Sequence, residues 1–171
     1  DVKFHIMRKL LLLVLIACAL SSNAQTKKKK ISKTNKKVTV VEKKKVVYQV
    51  FTRLFGNTNT TNKPWGTLEE NGVGKFNDFT DKALQEIKKL GVTHIWYTGV
   101  PHHALVRDYT NIGISNDDPE VVKGRAGSPY AVKDYYNVNP DLAVNPANRL
   151  QEFEALIART HKNGLQLLID I

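Results

Sequence analysis

The sequence predicts an α/β protein built on a parallel sheet, and three observations carry that expectation. Apolar strand-like runs alternate with amphipathic helical patterns from residue 46 onward. The two helix–strand junctions, "KKLGVTHIW" and "HKNGLQLLI", repeat one grammar: a polar helix end, a glycine, then an apolar strand. The strands are nearly continuous in apolar residues, which suits a sheet covered on both faces.

The first strand is "VVYQVF", Val46 to Phe51, rich in β-branched and aromatic residues. A polar loop with several glycines and asparagines follows. In "NDFTDKALQEIKKLG", Phe79, Ala83, Leu84, Ile87 and Leu90 recur at helical spacing, with charged residues on the other face. Asn77 or Asp78 is the expected N-cap, Lys88 and Lys89 suit the C-terminal dipole, and Gly91 the left-handed stop. "VTHIWYT", Val92 to Thr98, is the second strand. The next helix starts at Asn145-Pro146, a cap followed by a first-turn proline, and presents Leu150, Phe153, Leu156 and Ile157. Gly164 ends it, and "LQLLIDI" is the third strand. Right-handed βαβ units are the expected connection.

Charge is segregated. The formal net charge is +10, but residues 27–45 contain ten lysines against one glutamate. Residues 46–171 carry thirteen basic and fourteen acidic side chains, so the basic pI belongs to a tail. A lysine-rich, aromatic-free stretch stays solvated, since it buries too little apolar area to offset chain entropy. This excludes a nucleic-acid-binding folded surface and assigns 25–45 to a disordered linker. Ahead of it, "MRKLLLLVLIACALSSNAQ" reads as a secretory signal over 7–24: a short basic region, an apolar core too short to span a bilayer, and small residues before the cleavage point after Ala24. Residues 1–6 read as upstream translation. The protein is expected to be exported, periplasmic or extracellular. The alternative is a lipoprotein anchored through Cys18, the only cysteine, and only that route would bring a membrane partner. Neither route leaves a thiol in the folded part, so disulfides are not expected.

The fifty residues between the second strand and its helix, 99–148, are where chemistry is expected. Long loops are uncommon unless functional, and in parallel α/β folds the loops leaving the C-terminal ends of strands build the site. Within this loop stands "GSPYAVKDYYNVNPDLA", Gly127 to Ala143. With "VVYQVF", "GVTHIWYTGV" and "GLQLLIDI" in order over residues 46–171, it resembles the N-terminal part of an α-amylase-family glycoside hydrolase.

That resemblance implies a (β/α)₈ TIM barrel, here truncated after the third strand, acting on α-linked glucans such as starch or maltooligosaccharides with retention of configuration. Retention requires a nucleophilic carboxylate and a neighbouring acid/base carboxyl. In the family these lie on later strands, so the catalytic residues would fall after Ile171 and none is within this chain. Tyr130 matches the tyrosine that stacks on the sugar at the cleavage point, where an aromatic face suits a pyranose and a developing positive charge. Asp134 and Tyr135 complete the pattern as supports of that loop. Asp170 matches the aspartate opening the family's first conserved segment, which continues with an asparagine followed by a histidine; that asparagine often binds calcium, so calcium is a possible cofactor of the full-length enzyme. A lone carboxylate in an apolar strand needs a partner, and in the family it is an arginine beyond this chain. Gly127, Ser128 and Pro129 depart from common relatives by lacking the histidine or aspartate ahead of the tyrosine, which speaks against an exo-acting glucosidase. The alternatives are a non-catalytic barrel used for binding or assembly, and an α-glucan transferase. The chain by itself is expected to be inactive, and residues 25–171 alone to lack cooperative folding, because a barrel cut after three strands leaves an open edge.

Other residues read as bystanders. His102 and His103 are expected to be exposed loop residues rather than metal ligands, and "NDDPE" lacks the glycine and terminal glutamate of a calcium loop. Trp96 reads as core, whereas Trp65 in the first loop could touch carbohydrate.

Overall fold

The computed structural model describes residues 44–170. The signal, the cleavage site, Cys18 and nearly all of the lysine tail lie outside the described residues.

Strand β1 (Val47–Phe51) pairs in parallel with β2 (His94–Thr98), placing Tyr48 opposite Ile95 and Phe51 opposite Thr98. The C-terminal strand β5 (Gln166–Ile169) lies parallel on the other side of β2, with Leu167 opposite Ile95. The sheet order is therefore β1-β2-β5, as the alternation of strands and helices predicts. Helix α2 (Asp81–Lys89) links the first pair and α3 (Arg149–Lys162) the second.

The helices cover one face. Val50, Ile95, Tyr97 and Leu165 from the sheet region bury against Leu84 and Ile87 of α2 and Leu156 of α3. Aromatic rings fill the middle: Phe55 stacks on Phe79 with centroids 4.1 Å apart, and Phe79 meets Tyr97 edge-on at 4.9 Å. The Tyr97 hydroxyl reaches Thr160 Oγ1 at 2.8 Å. Thr160 spends its own proton on the Leu156 carbonyl, so Tyr97 is the donor, and burial pushes its pKa up to about 12. Arg159 ties α3 to the turn before α2 by donating to the Phe79 and Phe76 carbonyls, both at 2.8 Å.

The other face differs from expectation. Val47, Phe51 and Leu168 remain substantially exposed among the described residues, so the sheet is covered on one face rather than two. Trp96 is likewise only partly buried, because odd-numbered Ile95 and Tyr97 take the helix side and the alternation of a strand turns Trp96 away from it.

Several boundaries also shift. Asn77 and Asp78 do not cap α2; they lie in a 3₁₀ turn (Phe76–Asp78), and Thr80 is the cap, its side chain accepting from the Ala83 amide at 3.2 Å. The turn lets Phe76 and Phe79 both bury completely before the helix begins. Lys88 and Lys89 lie in the last turn of α2, as expected, and Lys88 also donates across to the Asn163 and Gly164 carbonyls at the end of α3, at 2.9 Å each. Asn145 caps a 3₁₀ turn (Pro146–Asn148) that runs into α3, and Leu150 is exposed rather than part of the apolar face. The first polar loop carries a short helix, α1 (Leu68–Asn71), closed by a capping box between Thr67 and Glu70.

The long 99–148 connection is not structureless. Strand β3 (Pro101–His103) pairs antiparallel with β4 (Val132–Val138), forming a second, two-stranded sheet. Its register slips between Pro101 and His102, so Pro101 faces Val138 while His102 faces Asp134. The surplus residues of β4 bulge outward there. His102 and His103 are buried by this hairpin, contrary to the expectation of exposed loop histidines.

Candidate active site

The C-terminal ends of β1, β2 and β5 converge on one short turn. Thr52, just past β1, donates its amide to the Thr98 carbonyl at 3.1 Å, and Gln49 donates its side-chain amide to Thr98 Oγ1 at 3.0 Å. Gly99 follows with φ +82°, a left-handed conformation that a side chain would strain.

Asp170 secures that turn. Its Oδ1 accepts from the Trp96 indole N–H at 2.7 Å, and its Oδ2 accepts from the Gly99 amide at 2.7 Å. Its partners among the described residues are the Trp96 indole of β2 and the amide of Gly99, just past that strand. A carboxylate beyond the end of β5 is thus satisfied by two neutral donors, and it fixes the backbone after the neighbouring strand.

Beyond Gly99 lies the segment bearing Tyr130. A Cβ on Gly99 would stand 3.3 Å from Pro129 Cβ, so the two segments are in near contact. Gly127 has φ +68°, and a Cβ there would lie 1.7 Å from the Ala104 carbonyl oxygen. Only glycine lets this segment lie against the chain leaving β3. A turn closed by Ala131 N–H to the Ser128 carbonyl, 2.9 Å, then projects Tyr130, which is 76% exposed. Asp170, Gly99, Pro129 and Tyr130 therefore form a continuous path from the sheet edge to an open aromatic ring.

Asp134 accepts the Tyr136 amide at 2.9 Å and so holds the bulge of β4. Tyr135 stands on that bulge with its side chain largely exposed.

A second group of polar residues escaped the sequence. Asp141 is nearly fully buried; its Oδ1 accepts from the Tyr109 hydroxyl at 2.7 Å, and its Oδ2 lies 3.5 Å from Arg53 Nη1. Asn139, also buried, accepts the Asp141 amide at 3.0 Å, while Lys75 donates to the Asp141 and Ala143 carbonyls. Burial lowers the Lys75 pKa, with Asp141 opposing, and burial together with Asp141 raises that of Tyr109. His103 packs beside this group, its Nε2 3.0 Å from the Ala126 carbonyl and 3.4 Å from Asn139 Nδ2. Burial lowers the pKa of both His103 and His102. The Asn-Pro-Asp run was the available signal, since Asn before Pro is a capping pattern; nothing in it announced Arg53, 88 residues away.

Among the described residues no group of three His, Cys, Asp or Glu side chains is placed to hold a metal ion. Within "NDDPE", Asp117 accepts the Leu105 amide and pairs with Lys133, and Asp118 accepts the Glu120 amide. These carboxylates hold loops and do not gather around a point.

No protein-family description matches the chain, and no curated protein is similar to it. Solved structures are similar to it. One is trehalose-6-phosphate hydrolase from Bacillus licheniformis, 25% identical over 74% of this chain, with a TM-score of 0.45. Another is a noncanonic maltogenic α-amylase from Thermotoga neapolitana, 20% identical over 74% of this chain, TM-score 0.48. A third is the α-glucosyl transfer enzyme XgtA, 24% identical over 74%, TM-score 0.44. These similar structures are α-amylase-family glycoside hydrolases. The chain spans 16%, 22% and 17% of their respective lengths.

Proposed function

We propose that this chain is the amino-terminal portion of an exported α-amylase-type glycoside hydrolase of (β/α)₈ architecture, cleaving α-linked glucans with retention. The observation that supports it best is the path from Asp170 through Gly99 and Pro129 to Tyr130 at the C-terminal ends of parallel strands. That end of a parallel sheet is where such folds assemble their chemistry. An exposed tyrosine there, on a turn anchored at its base, is suited to stack on a pyranose ring.

In this reading Tyr130 is a substrate-binding residue and favours the positive charge that develops at the anomeric carbon. Asp170, Asp134 and Tyr135 position it. The nucleophile and the acid/base carboxyl are supplied by later strands. A calcium ion has no assembled carboxylate or imidazole site among the described residues, and no step here relies on one.

The test is the anomeric course of maltoheptaose cleavage by the full-length protein, followed by proton NMR. The expected first product is the α-anomer, appearing before mutarotation. A β-anomer appearing first would overturn the retaining mechanism, and no cleavage of any α-glucan would overturn the enzyme.

A further inference from the structure

The turn that presents Tyr130 leaves and rejoins the same stretch of chain. Before it, Val106 donates its amide to the Arg125 carbonyl at 2.8 Å; after it, Ala104 donates its amide to the Ala131 carbonyl at 3.0 Å. Between these ties, one hydrogen bond among the described residues holds 126–130 to the rest of the protein. It joins His103 Nε2 to the Ala126 carbonyl, 3.0 Å apart. His103 and Ala104, adjacent at the end of β3, therefore grip the entrance and the exit of the turn.

The ring is built into this place. His103 is 3% exposed and lies against Gly127, where a Cβ would stand 3.1 Å from His103 Cδ2. Its Nδ1 is 3.1 Å from the Pro101 carbonyl oxygen, so both ring nitrogens face acceptors, with Asn139 Nδ2 farther off at 3.4 Å from Nε2. Burial lowers the pKa and favours the neutral ring; Arg53 acts in the same direction, while the two carbonyls and Asp141 oppose. A neutral imidazole has one N–H and can donate to only one of the two carbonyls. Pro101 keeps its place whichever nitrogen holds the proton, because it stands opposite Val138 and the Asn139 amide bonds the Val100 carbonyl beside it. Ala126 has no such support. With the proton on Nδ1, two acceptors would face each other at 3.0 Å and residues 126–130 would lose their tie. The close seat of Ala126 on the ring requires the proton on Nε2.

We propose that His103 is a positioning residue for Tyr130: its Nε2–H holds the Ala126 carbonyl and so fixes the entrance of the turn that presents the ring. The placement of the turn stands on these contacts alone; its consequence for catalysis rests on the reading of Tyr130 as a substrate-binding residue. A ring held at both ends of its turn is pre-organised to stack, and a small displacement of a positioned group is costly to rate.

Two substitutions in the full-length protein separate the ring nitrogens. The amide of His103→Gln reaches the place of Nε2, whereas that of His103→Asn reaches only the place of Nδ1. The first readout is hydrogen exchange at the Ala131 amide, which closes the turn on the Ser128 carbonyl. Exchange should quicken about tenfold in His103→Asn, the scale of one lost hydrogen bond, and stay near the parent in His103→Gln. The second is kcat/KM for maltoheptaose, expected to fall about tenfold in His103→Asn, to be largely rescued in His103→Gln, and to show no further loss when His103→Asn is added to Tyr130→Ala. A residue that merely supported the fold would cost the same in both backgrounds, and that result overturns the proposal. So does Ala131 exchange that is unchanged in His103→Asn, or equal in the two variants. Should His103→Asn fail to fold by circular dichroism, the parent still decides: long-range proton–nitrogen NMR at neutral pH should show the His103 proton on Nε2, and a proton on Nδ1 overturns the assignment. A full-length protein that cleaves no α-glucan removes the enzyme reading, and the exchange contrast between the two variants then decides the positioning of the turn by itself.

Discussion

Asp170 and Asp141 are both carboxylates that accept two contacts, yet they belong to opposite kinds of site. Asp170 follows a strand, is half-buried, and is satisfied by neutral N–H groups of the adjacent strand and its turn. Asp141 sits in a loop, is buried, and is held by a phenol and a guanidinium drawn from remote segments. The first carboxylate orients a backbone turn at the edge of the candidate active site. The second closes the floor between the β1 loop and the hairpin region. Position on a regular element makes a polar residue interpretable in advance, whereas position in a long loop hides it until the loop has folded.

The largest effect should come from breaking the buried cluster. Asp141→Ala strands Arg53 and the Tyr109 hydroxyl together, and removing one partner of a buried pair costs about 3–5 kcal/mol. Urea unfolding of the full-length protein should show that loss, with Asp141→Asn intermediate because it still accepts from Tyr109. A loss below about 1 kcal/mol would mean the cluster is solvated, and the contrast with Asp170 would collapse.

Gly127 lies between the two regions, since its neighbour Ala126 contacts His103 and its own turn leads to Tyr130. Gly127→Ala would both strain a φ of +68° and drive a methyl into the Ala104 carbonyl. The expected cost is about 2–4 kcal/mol, from backbone strain plus displacement of a packed segment. Proteolysis should then appear first within residues 124–131. Unchanged stability would show that this segment does not lie against Ala104.

Asp170→Asn is a smaller perturbation. One side-chain oxygen can still accept, so about 1–2 kcal/mol is expected from one lost charge-assisted hydrogen bond. Hydrogen exchange at the Gly99 amide is the sensitive readout, because that proton is held by Asp170 Oδ2. Protection that survives the substitution would mean Gly99 is held by something else.

The same contrast explains how much was legible in the sequence. The parallel sheet, both long helices and the glycine stops at Gly91 and Gly164 followed from periodicity and end chemistry, which act over a few residues. The true cap of α2 was missed because Phe76 and Phe79 both had to bury, a tertiary demand that displaced the start from Asn77 to Thr80. The β3–β4 hairpin was missed because its register slips and its strands are joined by 28 intervening residues, 104–131, well beyond any tight-turn signal. Trp96 was misread because a strand alone does not say which of its faces the helices will cover.

The smallest effect on stability should come from Tyr130, and under the proposed function it carries the largest effect on activity. Its side chain is 76% exposed and its turn is closed by backbone and Ser128 contacts that do not involve the ring. Tyr130→Ala should therefore change stability by no more than about 0.5 kcal/mol, the usual range for surface substitutions. If the ring stacks on substrate and favours the oxocarbenium-like transition state, kcat/KM for maltoheptaose should nevertheless fall about a hundredfold, equivalent to about 3 kcal/mol of stacking and cation–π stabilisation. Tyr130→Phe should retain most of that activity, because the ring face rather than the hydroxyl makes the contact. An alanine variant as active as the parent would leave the aspartate-anchored turn as mere structure. One that unfolds would place Tyr130 with Asp141, among the residues that hold the loop together.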